Sequence, residues 1–242
     1  MFVSLLPMLL AAQPTESLPF AAGERLTYVA KAGPGLNGSG EMWVDGPVDM
    51  RGVQVITLHS EMRGGFGFLK VSDRASSSFD VARMASMHYS KVERYPIGKH
   101  AEEVEIDPAT RSWRATDGRS GTSLTDQPLD ELSFVYALRS MTLPADSALV
   151  LNRHFDASRN PTIVRSLGRG SVTTPAGTFT TEEVEMRVRD PRRYKGEGVI
   201  HFSFSADACR RPVRIESAIP NAGTVVLTLS AAAPVIAACA PH

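Results

Sequence analysis

Cysteine is scarce in this chain and charge of either sign is not in excess. Of 242 residues only Cys209 and Cys239 are cysteines, which excludes a disulfide-dense scaffold and a Cys-rich zinc site. Lys plus Arg and Asp plus Glu both number 26, so no global field draws the chain to nucleic acid or to an acidic membrane. Long apolar runs are missing too. Residues 1–12 form one, but it is too short to span a bilayer.

Signatures of catalysis are equally sparse. The six histidines, His59, His88, His100, His154, His201 and His242, show no H-x-x-x-H or His-Cys pairing, so a metal site would have to gather ligands from distant segments. No G-x-S-x-G elbow or S-x-x-K nucleophile occurs, and Ser77 reads as part of a Ser-rich turn. Glu102-Glu103 and Glu182-Glu183 fall in strand-like segments, where adjacent side chains point to opposite faces and cannot share one substrate bond. Gly33, Gly35 and Gly38 fit the G-x-G-x-x-G spacing. Met42-Trp43-Val44 follows them as a strand, so no helix N-terminus is there to hold a pyrophosphate. The segment is a hairpin loop. No cofactor and no metal is implied.

What the chain does have is alternation. In Ile200-His201-Phe202-Ser203-Phe204-Ser205 every second residue is apolar, the period of a strand with one dry and one wet face. Similar stretches, bounded by Gly, Pro, Asn and Asp, predict strands over 23–31, 41–45, 53–61, 66–72, 76–81, 87–94, 101–106 and 112–116. Six more are predicted over 148–155, 162–167, 179–188, 198–205, 213–217 and 224–229. One segment departs from this period. Over 129–141, Leu129, Leu132, Val135, Tyr136 and Arg139 recur at helical spacing, with Pro128 at a plausible first position and Asp130 and Glu131 where the helix dipole favours acids. Phe134, Leu138 and Met141 cover another side, so this helix should be buried against the sheet. The expected fold is mainly β: an antiparallel open or closed barrel or a two-sheet clam, with one buried helix.

The expected organisation is a signal peptide over 1–12, an N-terminal linker over 13–22, one β domain over 23–231 and an Ala/Pro tail over 232–242. The leader reading rests on an apolar run that ends in Ala11-Ala12 and gives way to polar residues. It implies a soluble, exported protein of the periplasm or cell envelope. In an oxidising space two cysteines suggest a Cys209–Cys239 disulfide, provided the tail bends back beyond the final hairpin. The basic stretch Arg187, Arg189, Arg192, Arg193 and Lys195 could hold a phosphate, but Glu182, Glu183, Glu185, Asp190 and Glu197 make a salt-bridged hairpin the plainer reading.

Four segments carry a resemblance: Ala22-Gly23-Glu24-Arg25-Leu26-Thr27-Tyr28, Leu132-Ser133-Phe134-Val135-Tyr136-Ala137-Leu138-Arg139, Thr174-Pro175-Ala176-Gly177-Thr178-Phe179 and Arg211-Pro212-Val213-Arg214-Ile215-Glu216. In their order and spacing the chain resembles an uncharacterised family of bacterial exported β-proteins, catalogued as a domain of unknown function. It departs from that pattern at Cys209 and in the Ala-rich tail with Cys239. The resemblance implies an envelope location and a mainly β fold, and brings no catalytic residues. By analogy of fold, the function leans to non-catalytic binding of an apolar or lipid-like ligand, or to a role in the cell envelope. The rivals are an exported hydrolase assembled from distant residues and a module that pairs through a sheet edge.

Overall fold

The structure is a computed structural model that describes residues 18–33, 36–66, 69–191, 196–219 and 223–234. The leader over 1–12, half of the linker over 13–22, and Cys239 with most of the tail lie outside these residues, and with Cys239 goes the Cys209–Cys239 pairing.

Among the described residues fourteen strands form one antiparallel sheet. They are β1 (Arg25–Ala32), β2 (Leu36–Met50), β3 (Val53–Phe66), β4 (Leu69–Asp80), β5 (Ala85–Arg94), β6 (Lys99–Asp107), β7 (Ser112–Ala115), β8 (Ser120–Thr122), β9 (Ala148–Leu151), β10 (Thr162–Thr174), β11 (Gly177–Arg189), β12 (Glu197–Ser205), β13 (Pro212–Ile219) and β14 (Gly223–Ala233). The spatial order runs from β8 down to β1, then from β14 down to β9. Two meanders are therefore joined by the β1–β14 pair, in which Arg25 lies opposite Ala233 and Ala32 opposite Val225. The helix α1 (Glu131–Arg139) connects the two outer ends of the sheet.

Those ends are not joined by paired strands, so the sheet is an open, barrel-like curl. They are nevertheless stitched together just beyond β8 and β9. The Leu129 amide donates to the Arg153 carbonyl at 2.6 Å, the Phe155 amide to the Leu129 carbonyl at 2.9 Å, and the Ser123 hydroxyl to the Phe155 carbonyl at 2.9 Å. The expected β architecture is present, in its open-barrel form.

The alternation follows the pleat. In β1, Leu26, Tyr28 and Ala30 point inward, and in β6 Glu102, Val104 and Ile106 do so while Glu103 and Glu105 face water. The two segments expected at 66–72 and 76–81 are one strand, β4, because Ser72 through Ser76 continue the ladder to both neighbours. Ser77 thus lies in a strand and not in a turn. β1 and β2 pair as a hairpin with Ala32 opposite Leu36, so Asn37 to Gly40, expected in the loop, belong to the strand, and no helix follows the glycines. A Cβ on Gly38 would sit 2.2 Å from the Arg63 carbonyl oxygen, so close approach of β3 explains that glycine.

The helix is shorter than the 129–141 span. Asp130 is its N-cap, and its carboxylate accepts from the Leu132 and Ser133 amides at 2.9 Å each; the Ser133 hydroxyl in turn accepts from the Asp130 amide at 2.8 Å. This reciprocal box fixes the cap two residues after Pro128 and the first helical residue at Glu131, so Pro128 lies before the helix and not at its first position. Glu131 in the first turn and Arg139 in the last both suit the dipole, and Ser140 caps the end. Leu132, Phe134, Tyr136 and Leu138 enter the core beside Tyr28, Leu58, Phe79 and Phe202. Phe20, in the stretch read as linker, joins that core and meets Tyr136 edge-on at 5.0 Å.

Candidate functional site

Between α1 and the concave face of the sheet lie two hollows of about 240 Å³ and 250 Å³. They share Met62, Asp73, Glu131, Ile200, Ile215, Ser217 and Leu227 as lining and so form one cleft. Its floor comes from β3, β12, β13 and β14, where Met62, Ile200, Ile215 and Leu227 are only half-buried. Apolar side chains that face inward yet keep partial exposure mark a core that the chain itself does not fill. Met42 and Met186 add flexible, polarizable surface, which adapts to irregular shapes.

The wall of the cleft is ionic. The Lys91 ammonium stands 3.4 Å from Asp73, 3.3 Å from Glu93 and 3.1 Å from Glu131. The Arg159 guanidinium bonds Glu131 and lies 2.7 Å from Asp190, while the Tyr89 hydroxyl donates to Glu131 at 3.3 Å. Four carboxylates thus share two cations. The cations are almost wholly buried, whereas the Asp73 and Glu131 side chains keep 30% and 29% exposure. Burial raises the Asp73 carboxyl above its ordinary value, and Lys91 opposes that shift. Burial and the neighbouring Glu131 carboxylate raise the Tyr89 phenol well above its ordinary value. Glu131 belongs to α1, Lys91 to β5, and Asp190 follows β11, so the network ties the helix to both meanders.

A second ionic site lies deeper. Arg139 has no exposed surface; its Nη1 and Nη2 donate to Glu24 at 2.5 Å and 2.7 Å, and Nη2 also donates to the Pro19 and Cys209 carbonyls at 2.9 Å each. Its guanidinium also lies over the rings of Phe20 and Tyr136. The Tyr28 hydroxyl donates to the Pro212 carbonyl at 3.0 Å. Three of the four segments that carry the family resemblance meet here. With Arg139 closed off from solvent, the site is a brace.

The residues weighed in the sequence are scattered. His59 stacks on Trp43 at 4.7 Å and faces Asp45 at 3.3 Å, with burial lowering its pKa against the pull of Asp45. His88 pairs with Glu103 at 3.4 Å and His201 with Glu185 at 3.2 Å; His154 is buried beside the cleft, His100 is exposed, and His242 lies outside the described residues. Among the described residues no three His, Cys, Asp or Glu side chains gather as a metal site. Arg187 pairs with Glu185 and Glu197, and Arg210 with Glu182; residues 192–195 lie outside the described set. The Ser77 hydroxyl donates to Asp130 at 2.5 Å, but both residues are fully buried and serve the start of the helix. No substrate reaches that serine. The cleft itself was missed in the sequence, although one sign of its wall was there. On β5, Lys91 and Glu93 occupy the same parity as the core residue Tyr89.

The pattern of the family described as a protein of unknown function (DUF3108) matches residues 27–230. The chain belongs to that family. The expected membership of a family of unknown function is thereby confirmed. No curated protein matches the chain. Among solved structures it is similar to a beta-barrel-like protein of a domain of unknown function (DUF1849) from Brucella abortus. That similarity has 10% identity and a TM-score of 0.55, and covers 87% of this chain and 97% of the other. At that identity the likeness shows the fold alone. A candidate lipoprotein from Parabacteroides distasonis (12% identity, 88% and 95% covered) and a candidate exported protein with a YmcC-like fold from Bacteroides fragilis (12% identity, 89% and 97% covered) both reach a TM-score of 0.34, too low to carry an argument. Among the described residues no helix is long and apolar enough to cross a membrane.

Proposed function

We propose that this protein works outside the cytoplasm by binding an apolar or lipid-like molecule in the cleft beneath α1, without transforming it. The observation that carries this reading is the half-buried apolar floor formed by Met62, Ile200, Ile215 and Leu227. A hydrolase in the same place would need an accessible nucleophile and base in contact, whereas the Ser77–Asp130 pair is sealed in the core and lines neither hollow. An apolar floor with one ionic wall suits a ligand whose body is hydrocarbon and whose polar end stays near Asp73 and Glu131.

An environment-sensitive hydrophobic dye tests the reading. Saturable binding is expected in the wild-type protein, together with a co-purified lipid in native mass spectrometry of material taken from its own envelope. Ile215→Glu puts a charge on the cleft floor and should weaken dye binding by at least about tenfold, because an unpaired carboxylate is costly to bury. No saturable binding by the wild-type protein, or an Ile215→Glu variant that is folded and binds as before, would remove the proposal.

A further inference from the structure

The zero net charge conceals a basic face. On the outer surface, between β3, β4 and β5, a groove of about 490 Å³ is lined by Arg63, Lys70, Arg74 and Arg94, with Glu61 as its one carboxylate. Strand register puts them on the same side: Arg63 lies opposite Ser72 and Ser72 opposite Arg94, while Glu61 lies opposite Arg74. Met62 and Asp73, of the other parity, face the cleft. Glu61 is held by Arg63 at 2.5 Å and by Arg74 at 2.9 Å. Lys70 and Arg94 have no carboxylate partner among the described residues. Lys99 lies opposite Arg94 across the β5–β6 hairpin and extends the basic set; on β6 the acids of that face, Glu103 and Glu105, stand further from the turn, near His88, and Glu41, opposite Glu61, pairs with Arg25 at 2.9 Å.

The turn of that hairpin is apolar. The Tyr95 amide donates to the Gly98 carbonyl at 3.0 Å, and Gly98 has φ +111°, a value that excludes most other residues. The turn holds Ile97 at 96% exposure beside Tyr95 at 51%. A scattered surface isoleucine is ordinary, but here an almost fully exposed one sits on a tight turn with Tyr95 before it and cations on either side. The β3–β4 hairpin, whose last described pair is Phe66 with Leu69, turns at the same rim.

We infer that this rim docks peripherally on an anionic bilayer surface, with Ile97 and Tyr95 at the headgroup boundary and Lys70, Arg94 and Lys99 on lipid phosphates. Basic side chains supply attraction to the negative surface, and an apolar tip holds on only where an apolar phase lies beneath it. A soluble polyanion would satisfy the cations and leave Ile97 without a role. The inference does not depend on what occupies the cleft, which lies on the opposite face.

The test is co-sedimentation of the full chain with phosphatidylcholine vesicles, with and without about 30% phosphatidylglycerol. Partitioning should favour the anionic vesicles and weaken at about 0.5 M salt, where surface charges are screened within a few Å. Ile97→Asp should reduce it roughly tenfold, the order expected when one large aliphatic side chain is no longer buried. Lys70→Gln with Arg94→Gln should reduce it roughly 25-fold, about fivefold per cation, and both variants should melt as the wild type does. Equal binding to neutral and anionic vesicles would overturn the inference, as would variants that bind like the wild type. So would a protein that loses binding with the charge variant but not with Ile97→Asp and takes up single-stranded DNA or a phosphopeptide instead.

Discussion

Replacing Glu24 by Gln is expected to destabilise the fold by about 3–5 kcal/mol, the cost of leaving a buried charge uncompensated. Arg139 is wholly enclosed, and the Glu24 carboxylate that accepts both its terminal nitrogens is itself 7% exposed. Gln can accept at one oxygen, but its amide group then confronts a donor and the cation stays without a counter-charge. Arg139→Met should cost a comparable amount, because it leaves the Glu24 carboxylate buried without a counter-charge and the Pro19 and Cys209 carbonyls without their donor. The double variant should therefore be much less harmful than the sum of the two, since removing both charges takes away the worst term. Urea denaturation monitored by circular dichroism gives all three values. A Glu24→Gln protein within about 1 kcal/mol of the wild type would show that water or another group compensates Arg139.

This pair also marks where the sequence stops being legible. The mainly β architecture follows from alternation within each strand, and the helix from a change of period, both of which are local. Glu24 just precedes β1 and Arg139 ends α1, and only the packing of the helix against the concave face of the sheet brings them together. The ionic wall of the cleft is of the same kind: Lys91, Glu131, Arg159 and Asp190 come from different segments, and no spacing rule links them. Strand register, too, is invisible in composition. Arg63, Arg74 and Arg94 become one basic face only once Arg63 and Arg94 flank Ser72, and the balanced total charge hides that face completely. α1 is shorter than the 129–141 span because Pro128, a common first helical residue, lies outside it, and the Asp130–Ser133 box, with Ser in place of the usual Glu or Gln at its third position, starts the helix later.

Leu132→Ala should cost about 2–5 kcal/mol, as deletions of buried leucine do, with a fall in melting temperature of roughly 4–20 °C for a chain of this size. The expectation turns on whether α1 is a brace or a lid over the cleft. A lid belongs to the weakly held part of a structure, and truncating one of its side chains would cost under about 1 kcal/mol while altering ligand entry. Three features of α1 argue for a brace. Leu132 is 5% exposed and packs in the core with Phe134, Tyr136 and Leu138. Asp130, at the cap, is bonded to Ser77 of β4, and Glu131 is held by Lys91 of β5 and by Arg159. At the other end Arg139 is fixed to Glu24 just before β1. Opening the helix would break all of these and expose Arg139 without its counter-ion. Loss of stability, with hydrophobic dye still bound by the folded fraction, is the outcome this arrangement demands. A Leu132→Ala protein that melts like the wild type but binds dye differently would instead make α1 a gate and the ionic contacts its latch.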